Sequence, residues 1–257
     1  MLIGFTHIVS PNIANCELTY LERAPVNYER AVRQHKEYCG FLNYHGVKAL
    51  TLDGSAAHPD SCFVEDTAIV VDEVAIIASM GAAARRQETA AMQKALAPYR
   101  PLEFMRLPAT IDGGDVVKLG RTILVGLSSR TNALAAQELR RILEPLGYRI
   151  ITVAVRGSLH LTTACSALDK ETLLVNPRWI DLEPLAGFRL LFVPEDEPWA
   201  ANTLRIADTI CLEAGAPKTA EIVRRHHDRI ELLDISEFRK AEGSLTCLSI
   251  IFEDKIG

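Results

Sequence analysis

One pattern constrains this chain more than any other: two short apolar strands around a polar turn, a helix, and a returning strand, recurring about every 45 residues. Cys62 to Val71 and Val74 to Ala78 flank Asp72-Glu73, Ala84 to Tyr99 has helical spacing, and Leu102 to Leu107 is extended. The order returns with Asp115 to Leu119 and Thr122 to Gly126 around Gly120-Arg121, a helix from Thr131 to Leu146 closed by Gly147, and the strand Arg149 to Val153. Leu159 to Leu168 and Thr172 to Val175 flank Asp169-Lys170 in a degenerate copy, with only weak helical character before the strand Leu190 to Val193. Asn202 to Ala207, Thr209 to Glu213, the helix Thr219 to Asp228 and the strand Ile230 to Leu233 make a further copy. The termini share the last one. Ile3 to Val9, a helix within Pro25 to Tyr44 and the strand Val47 to Leu52 lack a first strand, which Leu245 to Phe252 supplies. Five ββαβ units joined end to end predict an α/β fold with fivefold pseudosymmetry, a single domain over residues 1–257, in which closure hides the sheet edges.

The repeat also organises the polar residues. Asp66, Asp112, His160, Asn202 and Cys247 fall near the start of each unit's first strand, spaced 46, 48, 42 and 45 residues apart. In a ring such equivalent positions converge on the axis, although each taken singly also fits an ordinary turn. Composition narrows the partners. With 28 Lys+Arg against 33 Asp+Glu the net charge is -5, which offers no basic footprint for nucleic acid or an anionic membrane. Met1 to Ser10 lacks a signal-peptide pattern and no run approaches the roughly 20 apolar residues of a membrane span, so a cytoplasmic location is expected. Six cysteines, at 16, 39, 62, 165, 211 and 247, have no CxxC spacing, which indicates neither a zinc site nor a disulfide framework.

Cys247, in Gly243-Ser244-Leu245-Thr246-Cys247, is the candidate nucleophile; it needs a base and a pocket that holds an electrophile. His160, between two leucines, reads either as a core side chain or as the proton carrier that thiol chemistry needs. Asp112, before Gly113-Gly114, could orient that histidine or belong to an Asp-Gly turn. In Asp60-Ser61-Cys62-Phe63-Val64-Glu65-Asp66, period two puts Asp60, Cys62, Val64 and Asp66 on one face of a strand. Asp66 there would receive a cationic ligand or an internal arginine. Arg85, Arg86 and Arg130 open helices, where each could grip a carboxylate or lie in water.

As an ordered set these motifs, with Gly81 to Arg86, Val125 to Asn132, Leu159 to Leu161, Ala200 to Asn202 and Leu245 to Ser249, resemble the dimethylarginine dimethylaminohydrolase family of guanidino-group modifying enzymes. The resemblance covers nearly the whole chain and implies a fivefold α/β propeller without metal or organic cofactor. It makes Cys247 the nucleophile, His160 the general acid and base, and Asp112 the support of the histidine. Asp66 would bind the substrate guanidinium, with Glu65 beside it. Arg85 and Arg130 would hold the α-carboxylate, while Asp60, Leu18 and the Ala241 carbonyl would meet the α-amino end. The implied reaction converts N-methylated arginine to citrulline and an amine through a covalent thiouronium. Arginine deiminase chemistry on another guanidino substrate is the nearest rival, and a non-catalytic binding propeller is a rival of another class. A monomer and a homodimer are equally allowed.

Overall fold

Five three-stranded sheets carry the repeat in the computed structural model, which describes residues 1–254. In each, the central strand runs antiparallel to one neighbour and parallel to the other, and in three of them a tight hairpin followed by an α-helical crossover produces that order. Leu2–His7 is central in the sheet the termini share, antiparallel to Ile250–Glu253 and parallel to Val47–Leu52. Ala75–Ile77 lies between Ala68–Val70 and Leu102–Phe104. These two sheets belong to one compact unit, residues 1–113 with the C-terminal stretch from Ile235. A second unit, Gly114–Asp234, holds the other three, centred on Thr122–Leu127, Thr172–Val175 and Thr209–Glu213.

The central strands are mostly apolar and almost wholly buried, with polar residues such as Thr122, Thr172 and Glu213 at their ends, because both their faces are covered. In the first unit Phe5, Val70, Ile77, Met92, Leu96 and Phe252 meet in one buried cluster. The second unit is built likewise, with Leu124, Val153, Leu161, Leu173 and Leu185 packed together. Helices end where local chemistry stops them. Tyr28–Tyr44 starts at Asn27, whose side chain accepts from Arg30 N, and Ala133–Leu143 starts at Asn132, which accepts from Ala135 N. The degenerate copy has no α-helix between its second and third strands, only the 3-10 turn Glu183–Leu185. Among the described residues no helix is long and apolar enough to cross a membrane.

The structure differs from the expected strands at one recurring place. In four of the five units the residues just ahead of the first strand form a helical turn: Val64–Thr67, Gly113–Asp115, Leu161–Ala164 and Thr246–Leu248. The strands themselves are shorter, beginning at Ala68, Val116, Cys165 and Ile250. Asp60, Cys62, Val64 and Asp66 therefore do not alternate along one strand face. Local hydrogen bonds win there, with Phe63 N donating to Asp60 O at 2.8 Å and Thr67 Oγ1 to Val64 O at 2.6 Å.

Candidate active site

Cys247 stands in the middle of the turn Thr246–Leu248, 5% exposed, and its Sγ accepts from Ser244 N at 3.4 Å. The approach to that turn requires bare backbone, because a Cβ at Gly243 would lie 2.3 Å from Phe63 Cε1. Thr246 Oγ1 donates to Glu65 Oε2 at 2.8 Å, which joins the cysteine turn to the turn that carries Asp66. Burial first, then the charges of Glu65 and Asp66, push the Cys247 thiol well above its ordinary range; Ser244 N–H and Arg85 oppose them.

Asp66 does receive a guanidinium, that of Arg85, whose Nη1 donates to Asp66 Oδ2 at 2.6 Å. Arg85 also donates from Nη2 to Glu88 Oε2 at 2.9 Å and to the Phe63 carbonyl at 3.1 Å. The cation is thus enclosed by internal acceptors, whereas the resemblance gave it to a substrate carboxylate. Asp66, Arg85 and Glu88 are all buried. Burial pushes the Glu88 carboxyl up to about 7 against the pull of Arg85. Asp60, also buried and raised by desolvation, accepts from Glu17 N at 3.1 Å. Three successive N–H groups, of Thr19, Tyr20 and Leu21, donate to the carboxylate of Glu242. Glu242 follows Ala241 and has φ 57, a conformation rare outside glycine. The segment bearing Leu18 is therefore fastened at both ends, by Asp60 and by Glu242. Asp112 is fully buried in the same unit and accepts from Gly81 N at 2.8 Å. Its neighbour Gly113 crosses the Asp66 turn so closely that a Cβ would lie 2.0 Å from the Glu65 carbonyl oxygen.

In the second unit His160 is buried and forms the N-cap of Leu161–Ala164. Asn202 Nδ2 donates to Thr162 O at 2.9 Å, so this polar position of the repeat braces the histidine's turn. Arg130, also buried, sits beyond Ser128, whose Oγ accepts from Arg130 N at 3.0 Å. Asp115 has no exposed surface and acts electrostatically on His160. Burial pushes its carboxyl up to about 6, while the His160 charge and donors from Ser128, Thr131 and Leu161 hold it down.

The structure thus groups Cys247, Glu65, Asp66, Asp60, Arg85, Asp112, Ala241 and Leu18 within one unit, and His160 with Arg130 within the other. Sequence reasoning missed Glu88, Asp115, Ser128 and Glu242 as participants. A usable signal existed for Asp115 alone, an acid directly before the strand Val116–Leu119, which is apolar and buried except at Lys118.

A family model described as eukaryotic N,N dimethylarginine dimethylhydrolase matches residues 17–183. The N(G),N(G)-dimethylarginine dimethylaminohydrolase of Streptomyces coelicolor is 40% identical over 94% of this chain and 93% of its own length. The chain belongs to the dimethylarginine dimethylaminohydrolase family. A solved structure of the Pseudomonas aeruginosa dimethylarginine dimethylaminohydrolase, a cysteine-to-serine variant complexed with citrulline, matches with a TM-score of 0.92 at 30% identity, covering 97% of this chain and 98% of that one. A dimethylarginine dimethylaminohydrolase adduct with S-methyl-L-thiocitrulline, in a histidine-to-glycine variant, matches with a TM-score of 0.91 at 29% identity, over 97% and 99% of the two chains. These likenesses bear on the α/β fold.

Proposed function

We propose that this chain is a hydrolase of C–N bonds in linear amidines, converting N-omega-methylated arginines to citrulline and di- or monomethylamine. The observation that carries the reading is the placement of Cys247: a buried thiol beside the carboxylates Glu65 and Asp66, in a member of this family. A thiol held protonated by neighbouring anions becomes a thiolate when a cation is set beside it, and the substrate guanidinium is that cation. Asp66, which already receives one guanidinium, is suited to receive another.

Cys247 Sγ attacks the guanidinium carbon, and its proton passes by way of His160 to the leaving nitrogen. The C–N bond breaks, the amine departs, and a thiouronium remains on Cys247. His160 then takes a proton from water, whose oxygen bonds to the same carbon; the S–C bond breaks and citrulline leaves with the thiol restored. Arg130 holds the α-carboxylate, Asp60, Leu18 and the Ala241 carbonyl face the α-amino end, and Asp112 supports His160. Arg85 keeps Asp66 ionised and oriented. The reading takes the five sheets as a closed fivefold propeller, since the chemistry needs Cys247 and His160 at one substrate. A cytoplasmic location and a possible homodimer belong to the same proposal.

Citrulline release from dimethylarginine, monomethylarginine and arginine, measured side by side, tests the substrate. Turnover of arginine alone would replace the reading with a deiminase, and turnover of none would leave a binding module. Cys247→Ser is expected to abolish turnover while retaining substrate affinity by calorimetry; undiminished citrulline production would overturn the nucleophile.

A further inference from the structure

Within the second unit, one buried carboxylate connects the two segments that carry His160 and Arg130. Asp115 Oδ1 accepts from Leu161 N at 2.9 Å, the residue directly after His160. Asp115 Oδ2 accepts from Ser128 Oγ at 2.6 Å. Ser128 Oγ in turn accepts from Arg130 N at 3.0 Å and from Thr131 N at 3.2 Å. The hydroxyl therefore serves both partners at once, donating its single proton to the acid and accepting from the arginine's own backbone.

The surroundings make this junction close and specific. Gly126 passes so near that a Cβ there would lie 2.6 Å from Asp115 Oδ1 and 2.7 Å from Leu161 Cβ. Leu161 opens the turn that His160 caps, and its N–H, one of the donors without an intrahelical acceptor, takes that acceptor from Asp115. An acid with no exposed surface is costly unless its lone pairs are met, and here they are met by the loops of the two catalytic and binding residues.

We propose that Ser128 and Asp115 are positioning residues: Ser128 sets Arg130 for the substrate α-carboxylate, and Asp115 sets the turn that presents His160. The proposal rests on the methylarginine hydrolase reading above. It separates two kinetic roles along one chain of hydrogen bonds. Ser128 acts on binding through Arg130, whereas Asp115 acts on proton transfer through His160.

The experiment uses the full-length protein with dimethylarginine, comparing wild type, Ser128→Ala, Ser128→Thr and Asp115→Asn. Ser128→Ala should raise KM about tenfold with kcat within about twofold, the pattern of lost uniform binding. Ser128→Thr keeps the hydroxyl and should restore KM to near the wild-type value. Asp115→Asn should instead lower kcat by about tenfold or more. The proposal is overturned if Ser128→Ala leaves KM unchanged, if Ser128→Thr is as impaired as Ser128→Ala, or if folded Asp115→Asn keeps wild-type kcat. Should Asp115→Asn not fold, the Ala and Thr variants at the half-buried Ser128 decide the matter. A wild-type protein inactive on dimethylarginine would instead defeat the functional reading, an outcome these variant comparisons do not mimic.

Discussion

Two buried acidic clusters solve one electrostatic problem in opposite ways. In the first unit Asp66 and Glu88 close on a cation, the guanidinium of Arg85. In the second, Asp115 is surrounded by neutral donors, Ser128 Oγ and Leu161 N. A guanidinium cancels charge, so it can gather the buried carboxylates of Asp66 and Glu88 around itself. Neutral donors satisfy lone pairs and leave the formal charge intact, directed here at His160. The first arrangement suits a place that must receive a second cation. The second suits a place that must hold a proton carrier in position.

The comparison breaks most sharply at Arg85. Arg85→Met leaves two buried carboxylates without their cation and should cost about 3–5 kcal/mol, measured by urea unfolding at neutral pH. A loss below about 1 kcal/mol would mean that the first cluster is also held by neutral donors. Gly126→Ala strikes the second cluster sterically, with its new Cβ aimed at Asp115 Oδ1 and Leu161 Cβ. Destabilisation of about 1–3 kcal/mol is expected by the same assay, together with reduced turnover. An active, fully stable variant would show that the His160 turn shifts freely.

The smallest effect is a pH slope. A carboxyl raised by folding binds more protons folded than unfolded between its two values, so stability falls as pH rises through that window. For Glu88 the window runs from 4.5 to about 7, and for Asp115 from 3.8 to about 6. Unfolding free energy in a pH series should therefore decline across these ranges in the wild type. Glu88→Gln should flatten the slope from 4.5 to about 7, and Asp115→Asn the slope from 3.8 to about 6. Equal slopes for wild type and Glu88→Gln between 4.5 and 7 would mean that Arg85 holds Glu88 ionised throughout.

Much of the architecture was legible in residue order. Gly120-Arg121 between two apolar runs announced a hairpin, and Gly147, at φ 84, closed the helical segment before the returning strand. The degenerate copy was equally readable, because only weak helical character lies between Val175 and Leu190. The turns before the strands were not. Leu161 to Ala164 is apolar or small enough to read as strand, and Val64 to Thr67 fits a period-two strand pattern, yet their backbones close on local acceptors and on Asp115. Arg85 was legible as a carboxylate partner, but its partners are internal.

Order and spacing alone settle the five three-stranded units and single out Cys247 among six cysteines, because periodicity and turn chemistry act over a few residues and can be read from them. Only the tertiary structure decides which acid meets which donor. Asp115 reaches Leu161 across 46 positions, and Thr246 reaches Glu65 across 181. Such pairings depend on how whole segments pack, since a hydrogen bond forms within a few tenths of an ångström or not at all, and no local pattern encodes that distance.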